Sequence, residues 1–329
     1  MVVTRLRLAL SALLAAGVTL TGCGGSSAPS QPAAAVAPSA PPVEAVTHRL
    51  SLTDARGQTV SLKSKPDRIV CLTGLCDDAL VELGLTPAAT TTPKLVARPD
   101  YLGEAGKAVP TLPGMFGNED VAAIAATKPD LVMGLAGAHD QLRPAIEKFA
   151  PLWLVEVKTY EDSVRYLRDV AALTDRGAQQ VLAERAFRDR LAAARATSTE
   201  RGLNKTTALA MYGGTSIGVN TSDDLLGHLL SQVFDYPWPS KGGGFDTAQA
   251  YNVEEILARD PDIVFIQSFT FGPDARTVSA QYAANPVWKR ITAVREGRAH
   301  EVPAELWASG RGTRALGLIL DEAVAKATA

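Results

Sequence analysis

Apolar residues recur in two distant copies of one pattern, a short amphipathic helix followed by an apolar strand. Residues 120–132 align without a gap on residues 252–264. In each copy, apolar residues at helical spacing lead to a Pro-Asp turn and then to a strand, near 131–133 or 263–266. A pattern that occurs only twice, this far apart, is unlike a solenoid and predicts two similar α/β lobes with a cleft between them.

Short apolar runs bounded by Gly or Pro alternate with helical stretches along most of the chain. Residues 49–62 alternate as a small hairpin does. Strands are predicted near 69–72, 88–90, 131–133 and 153–157 in the first lobe, and near 207–212, 263–267 and 299–302 in the second. This alternation is typical of parallel sheets covered by helices. We therefore expect an α/β fold of two Rossmann-like lobes with parallel sheets.

A charged segment joins the predicted lobes. Residues 176–200 contain no Pro and no Gly apart from Gly177, and their composition predicts one long helix. An apolar stripe is predicted on that helix from the spacing of Leu182, Ala186, Leu191 and Ala194. The predicted boundaries are a first lobe at 47–173, a connecting helix at 174–202 and a second lobe at 203–329. A stiff helical connector predicts that the lobes open and close only slightly.

The first 46 residues have the composition of a targeting segment and a tether. Arg5 and Arg7 precede an apolar run, residues 8–20, that fits a signal peptide and is too short to span a bilayer. The run ends in Leu-Thr-Gly-Cys, which resembles the bacterial lipobox and implies cleavage after residue 22 and a lipid on Cys23. An ordinary secretory signal is the alternative. Residues 23–46, rich in Ala, Pro and Ser, predict a disordered linker.

Net charge and cysteine content narrow the possible functions. The formal charge of −2 lacks the basic excess of a nucleic-acid-binding protein. Beyond Cys23 the only cysteines are Cys71 and Cys76, in a compartment that permits disulfides. Their predicted positions, at a strand end and a helix start, favour two half-buried free thiols because the sulfurs would lie far apart. A disulfide is the alternative.

Two kinds of chemistry have weak signals. Residues 214–218 match the Gly-x-Ser-x-Gly nucleophile elbow around Ser216, with His300 downstream. An elbow needs a helix directly after the serine, whereas this segment continues in an extended pattern, so an envelope serine hydrolase is only an alternative. The four histidines are scattered, without the spacing of a zinc motif. We expect no catalytic residues, no metal site and no cofactor.

Several segments together resemble one family. They are residues 54–57, 66–70, 128–132, 260–264, 285–288 and 294–302, and their order and spacing are similar to those of the helical-backbone (class III) substrate-binding proteins of ABC importers. That family carries ferric siderophores, haem and cobalamin. The resemblance implies a monomeric, lipid-anchored extracytoplasmic protein that captures a ferric siderophore and delivers it to an ABC permease. Haem or cobalamin is the alternative ligand, and Tyr212, His139 or Met115 could then bind haem iron.

Candidate ligand-binding residues follow from where such sheets bind ligands. Ligands of open α/β sheets lie beyond the carboxyl ends of the strands. Aromatic and cationic side chains concentrated there suit a bulky anionic complex. The predicted contacts are Thr73, Arg98, Tyr101, His139, Tyr160, Tyr212, Trp238, Phe269, Trp307 and Arg311.

Permease docking is a second predicted surface. The resemblance implies one exposed carboxylate per lobe, at matching places in the repeat. Glu254 occupies that place in the second copy, but Ala122 occupies it in the first. We expect Glu119 or Asp120 to take this role in the first lobe.

Overall fold

The computed structural model describes residues 42–213, 217–242, 251–270 and 276–329, and Val43–Ala329 form one compact unit. The predicted signal peptide, Cys23 and Ser216 lie outside the described residues. Across the described ranges, no helix combines the length and apolarity needed to cross a membrane.

The first lobe is built on a four-stranded parallel sheet. Its helices pack on both faces, and two buried apolar clusters fill the spaces between helices and sheet. The strand order is β4-β3-β7-β8, and two small antiparallel hairpins, β1-β2 and β5-β6, lie beside it. The strands are β1 Ser51–Thr53, β2 Thr59–Ser61, β3 Ile69–Cys71, β4 Ala89–Thr90, β5 Gly114–Met115, β6 Asn118–Glu119, β7 Leu131–Leu135 and β8 Leu152–Val155. The helices are α1 Gly74–Glu82, α2 Pro93–Val96, α3 Val121–Ala126, α4 Arg143–Ile146 and α5 Tyr160–Thr174, with 3-10 turns at Gly103–Ala108 and Asp140–Leu142.

The second lobe repeats this plan with one difference. Its sheet order is β10-β9-β11-β12, and β10 is antiparallel to β9. The sheet is therefore parallel except at this edge, where β10 follows β9 after only three residues and so short a connection makes neighbouring strands antiparallel. The strands are β9 Ala208–Gly213, β10 Ile217–Val219, β11 Ile263–Ser268 and β12 Ala299–Val302. The helices are α7 Leu225–Leu230, α8 Val253–Arg259, α9 Val278–Tyr282, α10 Thr292–Arg295, α11 Ala304–Trp307 and α12 Thr313–Thr328, with 3-10 turns at Leu203–Lys205 and Trp288–Arg290.

The repeated sequence has the same structure in both lobes. Each copy is a short helix, α3 or α8, followed by a central strand, β7 or β11. The aspartate of the Pro-Asp turn also has the same kind of hydrogen-bond partner in both copies, a backbone amide just before the neighbouring strand. Asp130 accepts a hydrogen bond from the Asp67 backbone amide (2.8 Å), just before β3, and Asp262 accepts one from the Thr207 amide (2.8 Å), just before β9. The repeat therefore fixes the helix, the strand and the entry of the neighbouring strand.

The connecting helix is confirmed, and its predicted apolar stripe is half right: Leu191 and Ala194 are buried, whereas Leu182 and Ala186 are exposed. Helix α6 spans Gly177–Arg201, and Leu182 is 69% exposed. The buried face contains Gln180, Glu184, Phe187, Leu191, Ala194 and Ser198. Glu184 is tolerated there because Gln180 and two arginines, Arg168 and Arg188, donate to its carboxylate at 2.6–2.9 Å.

The cysteine prediction is also corrected. Cys71 and Cys76 are fully buried and form a disulfide, with their Cα atoms 5.3 Å apart. Helix α1 begins at Gly74, only three residues after the end of β3 at Cys71, so Cys76 lies in its first turn. This early start turns the chain back sharply and brings Cys76 next to the end of β3.

Candidate functional site

The two sheets turn their carboxyl ends toward each other. Gly74 follows β3, and a Cβ atom on it would lie 2.3 Å from the backbone oxygen of Ser309, in the segment after β12 and α11. Ser163, in the helix after β8, donates to the backbone oxygen of Arg311 at 2.7 Å. Segments beyond the carboxyl ends of both sheets therefore meet at the lobe interface, the region in which the topology predicts ligand binding.

Arg311 is the cation of the candidate site. Its side chain is half-buried, and in the part of the chain that the structure describes it makes no ion pair. Burial lowers the pKa of the guanidinium, and the charge of Asp224 opposes this effect from a distance. Asp224 already accepts hydrogen bonds from the amides of Thr221 (2.8 Å) and Gly227 (2.9 Å). A desolvated cation that lacks a contacting anion is well suited to bind one from a ligand.

Two half-buried aromatic side chains lie at the carboxyl ends of the central strands of the second lobe. The ring centroids of Tyr212, on β9, and Phe269, after β11, are 6.2 Å apart. The Tyr212 ring rests on Gly218 of β10, where an added Cβ would lie 2.5 Å from the ring. Next to Tyr212 in the sheet, Gln267 donates to Asn220 Oδ1 at 2.8 Å. Ligand contact by Tyr212, Phe269 and Arg311 stays a prediction.

Arg98 and Tyr101 link the lobes to each other. Arg98 forms ion pairs with Asp100 (2.9 Å) and, across the interface, with Glu305 (3.2 Å). Tyr101 donates its hydroxyl proton to Asp78 Oδ2 at 2.6 Å, and the guanidinium carbon of Arg314 lies 5.7 Å from its ring centroid. Arg314 is half-buried. Because their polar groups are already paired, Arg98 and Tyr101 have little left for a ligand.

Tyr160 begins α5 and packs against helices. Its ring lies 5.4 Å from that of His228 on α7, and its hydroxyl accepts a hydrogen bond from Arg195 at 3.2 Å. Its ligand contact remains a prediction. Lys241, another cation near the second sheet, pairs with Glu255 at 2.7 Å.

Four of the predicted ligand-contact residues have side chains that are buried in this structure, and their contact with a ligand stays a prediction. Trp238 is fully buried and donates its indole proton to the Ala208 carbonyl at 2.6 Å. Trp307 stacks on Phe265 and donates to Glu322 at 2.8 Å. Thr73 is buried and caps α1 through the Leu75 amide. The fourth is His139, which is fully buried.

His139 and Glu119 form a buried pair beneath the β5-β6 hairpin. His139 Nε2 lies 3.3 Å from Glu119 Oε1, and its Nδ1 accepts from the Leu135 amide at 2.9 Å. The hairpin above them exposes Met115 (74%) and Phe116 (56%). Sequence reasoning missed this hairpin because each of its strands has only two residues.

The candidate docking carboxylates differ in exposure. Glu254 is exposed on α8. Asp120 is also exposed, and its Oδ1 caps α3 by accepting from the Ala122 (2.8 Å) and Ala123 (3.1 Å) amides. Glu119 is buried, so of the two first-lobe candidates only Asp120 is exposed, and docking itself stays a prediction.

Three carboxylates on α1 were not singled out by the sequence analysis. Asp77 and Asp78 are fully buried, and Glu82 is half-buried. Burial raises the pKa of Asp77 to about 7, of Asp78 to about 6 and of Glu82 to about 8. Thr90 donates to Asp77 at 2.7 Å, and Thr313 donates to Glu82. Within the described ranges, no group of three or more His, Cys, Asp or Glu residues could hold a metal ion.

Comparison with known proteins gives one family and one fold. A sequence model of the family described as "Periplasmic binding protein" matches residues 69–306. The probable siderophore-binding lipoprotein YfiY of Bacillus subtilis is 26% identical over 281 residues, which cover 82% of this chain and 84% of the relative. The Fe(3+)-citrate-binding protein YfmC of the same organism is 24% identical over 277 residues, covering 79% and 80% of the two chains.

Solved structures support the same architecture. The crystal structure of Staphylococcus aureus SirA complexed with staphyloferrin B matches with a TM-score of 0.67 at 16% sequence identity, covering 85% of this chain and 99% of the other. At this identity the likeness shows the fold alone. The predicted two-lobe α/β fold is confirmed.

Proposed function

This chain belongs to the periplasmic binding protein family, and we propose that it is an extracytoplasmic receptor that binds an anionic ferric chelate and delivers it to an ABC permease. The family relatives are solute-binding proteins, so the prediction that the chain is not an enzyme is confirmed. The observation that carries the ligand class is Arg311, a half-buried cation without an ion pair in the described parts of the chain.

The surroundings of Arg311 favour a chelate over a bare ion. No histidine or carboxylate cluster of the described residues is arranged to ligate a metal directly. Tyr212 and Phe269 instead offer aromatic surface at the ends of two neighbouring strands. A flat or bulky organic complex can pack against such rings while an anionic group pairs with the guanidinium. The names of YfiY and YfmC, a siderophore-binding and a ferric citrate-binding relative, support this class.

A ligand panel tests the proposal. The compact unit, residues 43–329, would be titrated by calorimetry with ferric citrate, a ferric catecholate, a ferric hydroxamate, haem and cobalamin. Saturable sub-micromolar binding of a ferric chelate supports the proposal. Binding of haem or cobalamin alone would keep the transport role and refute the ferric ligand. If nothing binds, the ligand class is wrong.

We propose that Cys23 carries the membrane anchor. Replacing Cys23 by Ser removes the thiol to which the lipid is attached, so the protein should move from the membrane fraction to the soluble fraction and lose incorporation of a labelled fatty acid. The wild-type chain, expressed in parallel, is the control. A C23S protein that stays in the membrane fraction would contradict lipid anchoring.

We also propose that Glu254 and Asp120 contact the permease, one from each lobe. Exposed ion pairs contribute about 0.2–1 kcal/mol each, so Glu254→Gln should slow chelate uptake by cells about 2- to 5-fold while leaving chelate affinity unchanged. Glu200→Gln, at an exposed site on α6, is the matched control. Uptake equal to that of the control would show that Glu254 does not dock.

A further inference from the structure

The loop that carries Arg311 is part of the second lobe by sequence, but it rests on the first lobe. We propose that Asp78, on α1, is a positioning residue that fixes this loop so that Arg311 can bind the ligand. The inference rests on the proposed function, since it assigns Asp78 a role in that same site.

Two glycines allow the lobes to approach at this loop. A Cβ on Gly74 would lie 2.3 Å from the Ser309 oxygen, and a Cβ on Gly312 would lie 2.2 Å from Asp78 Oδ1. Real Cβ atoms do not come this close, so any larger residue at either position would push the lobes apart. The backbone on each side of Arg311 is therefore in direct contact with α1.

Asp78 caps a helix of the other lobe. The first amides of a helix have no partner within it. In α12 the N-cap residue is Gly312, which has no side chain to accept from them. Asp78 takes this place, accepting from the Arg314 amide at 3.1 Å and from the Ala315 amide at 2.8 Å. The cap that a Ser or Asp at position 312 would supply locally comes from the opposite lobe.

The same carboxylate is itself held in place. Tyr101 donates to Asp78 Oδ2 at 2.6 Å. On the other side of the loop, Ser163 donates to the backbone oxygen of Arg311 at 2.7 Å. First-lobe groups thus hold the chain at Arg311 and again three residues later.

Arg311 needs such support because its side chain has no ion pair of its own among the residues described. A paired arginine is oriented by its carboxylate, as Arg98 is by Asp100. For Arg311 the backbone must set the position of the charge before the ligand arrives. Pre-organisation of this kind lowers the cost of ordering the site on binding.

The test compares Asp78→Asn with Asp130→Asn in the domain of residues 43–329. Asp130 also accepts from two backbone amides, those of Asp67 and Arg68, but entirely within the first lobe. Hydrogen exchange followed by mass spectrometry would report on the peptide spanning residues 309–316. Ferric citrate, a ferric catecholate and a ferric hydroxamate would be titrated into wild type, D78N, R311Q and the double variant D78N/R311Q.

We expect D78N, but not D130N, to speed exchange at residues 309–316 and to weaken chelate binding about 5- to 20-fold. In the R311Q background the same change should cost less than about 2-fold, because the residue through which Asp78 acts is already gone. Equal losses in both backgrounds, or no loss, would overturn the proposal.

Two further outcomes keep the tests separate. If D78N does not fold, Ser163→Ala replaces it, because this change removes only the hydroxyl that holds the Arg311 carbonyl. S163A should lose less chelate affinity than D78N, and it should again lose less in the R311Q background. An equal loss of affinity in both backgrounds would overturn the proposal. If wild type binds none of the chelates, the proposed function fails, and exchange alone decides: faster exchange in D78N supports the positioning role, and unchanged exchange overturns it.

Discussion

Replacing Arg311 by Gln should weaken binding of an anionic ferric chelate about 10- to 100-fold. A hydrogen bond to a charged group contributes about 1.5–3 kcal/mol, and each 1.4 kcal/mol is a factor of ten in affinity. The stability of the unliganded protein should stay the same or increase, because burial lowers the pKa of Arg311 and so disfavours its charged form. Calorimetric titration and urea unfolding of the same samples measure both effects.

Arg98→Gln is the matched control and should behave in the opposite way. Arg98 is also partly buried at the interface, but Asp100 and Glu305 already neutralise it. Its loss should destabilise the fold by leaving two carboxylates without their partner, while chelate affinity changes less than about 3-fold. If R311Q keeps wild-type chelate affinity, or if R98Q loses more affinity than R311Q, the anion does not bind at Arg311.

The parts of the fold that sequence predicts well are local and periodic. The repeat predicts both helix-strand units because apolar spacing, a Pro-Asp turn and an apolar strand lie within a dozen residues. The stripe of α6 was partly misplaced for the opposite reason. Its buried face includes Glu184, which is paired with Arg168 of α5, and Gln180, which donates to Glu184. A search for apolar residues passes over such positions.

The site was only partly predictable for a related reason. Position after a strand identifies Tyr212 and Arg311 as candidates, but it cannot show on which side of the chain a side chain packs. Trp238 and Trp307 follow the same rule and are buried in the core instead. The contacts of Asp78 with α12 join residues more than 200 positions apart, so no local sequence pattern predicts them.

Rising pH should weaken the fold through the carboxylates of α1. Burial raises the pKa of Asp77 to about 7, well above the value near 4 of an unfolded chain. Between these values the folded protein holds a proton that the unfolded chain has lost. Stability therefore falls by about 1.4 kcal/mol for each pH unit gained in this window. Asp78 and Glu82, with pKa values raised to about 6 and about 8, act in the same direction.

Other titratable groups change the stability outside this pH range, or change it in the opposite direction. The Arg56 guanidinium lowers the pKa of Asp140 to about 2, so stability from that pair is lost only in strong acid. Burial lowers the pKa of His300 below its ordinary value of about 6.5. The stability that the neutral imidazole contributes is therefore lost as the pH falls below that value. The dependence of the whole protein's stability on pH is the sum of these effects. A variant at Asp77 alone is needed to isolate its part.

Asp77→Asn should be more stable than wild type at pH 8, and its advantage should be about 3 kcal/mol larger there than at pH 5. Among the described residues Asp77 Oδ1 has no hydrogen-bond partner, while Oδ2 accepts from Thr90 and Thr92. An asparagine oxygen can still accept from these hydroxyls, and the amide carries no charge to desolvate. Urea unfolding at pH 5, 6, 7 and 8 measures the difference, with Asp189→Asn, at an exposed site on α6, as the control. Parallel stability curves for D77N and wild type would show that Asp77 does not take up a proton on folding.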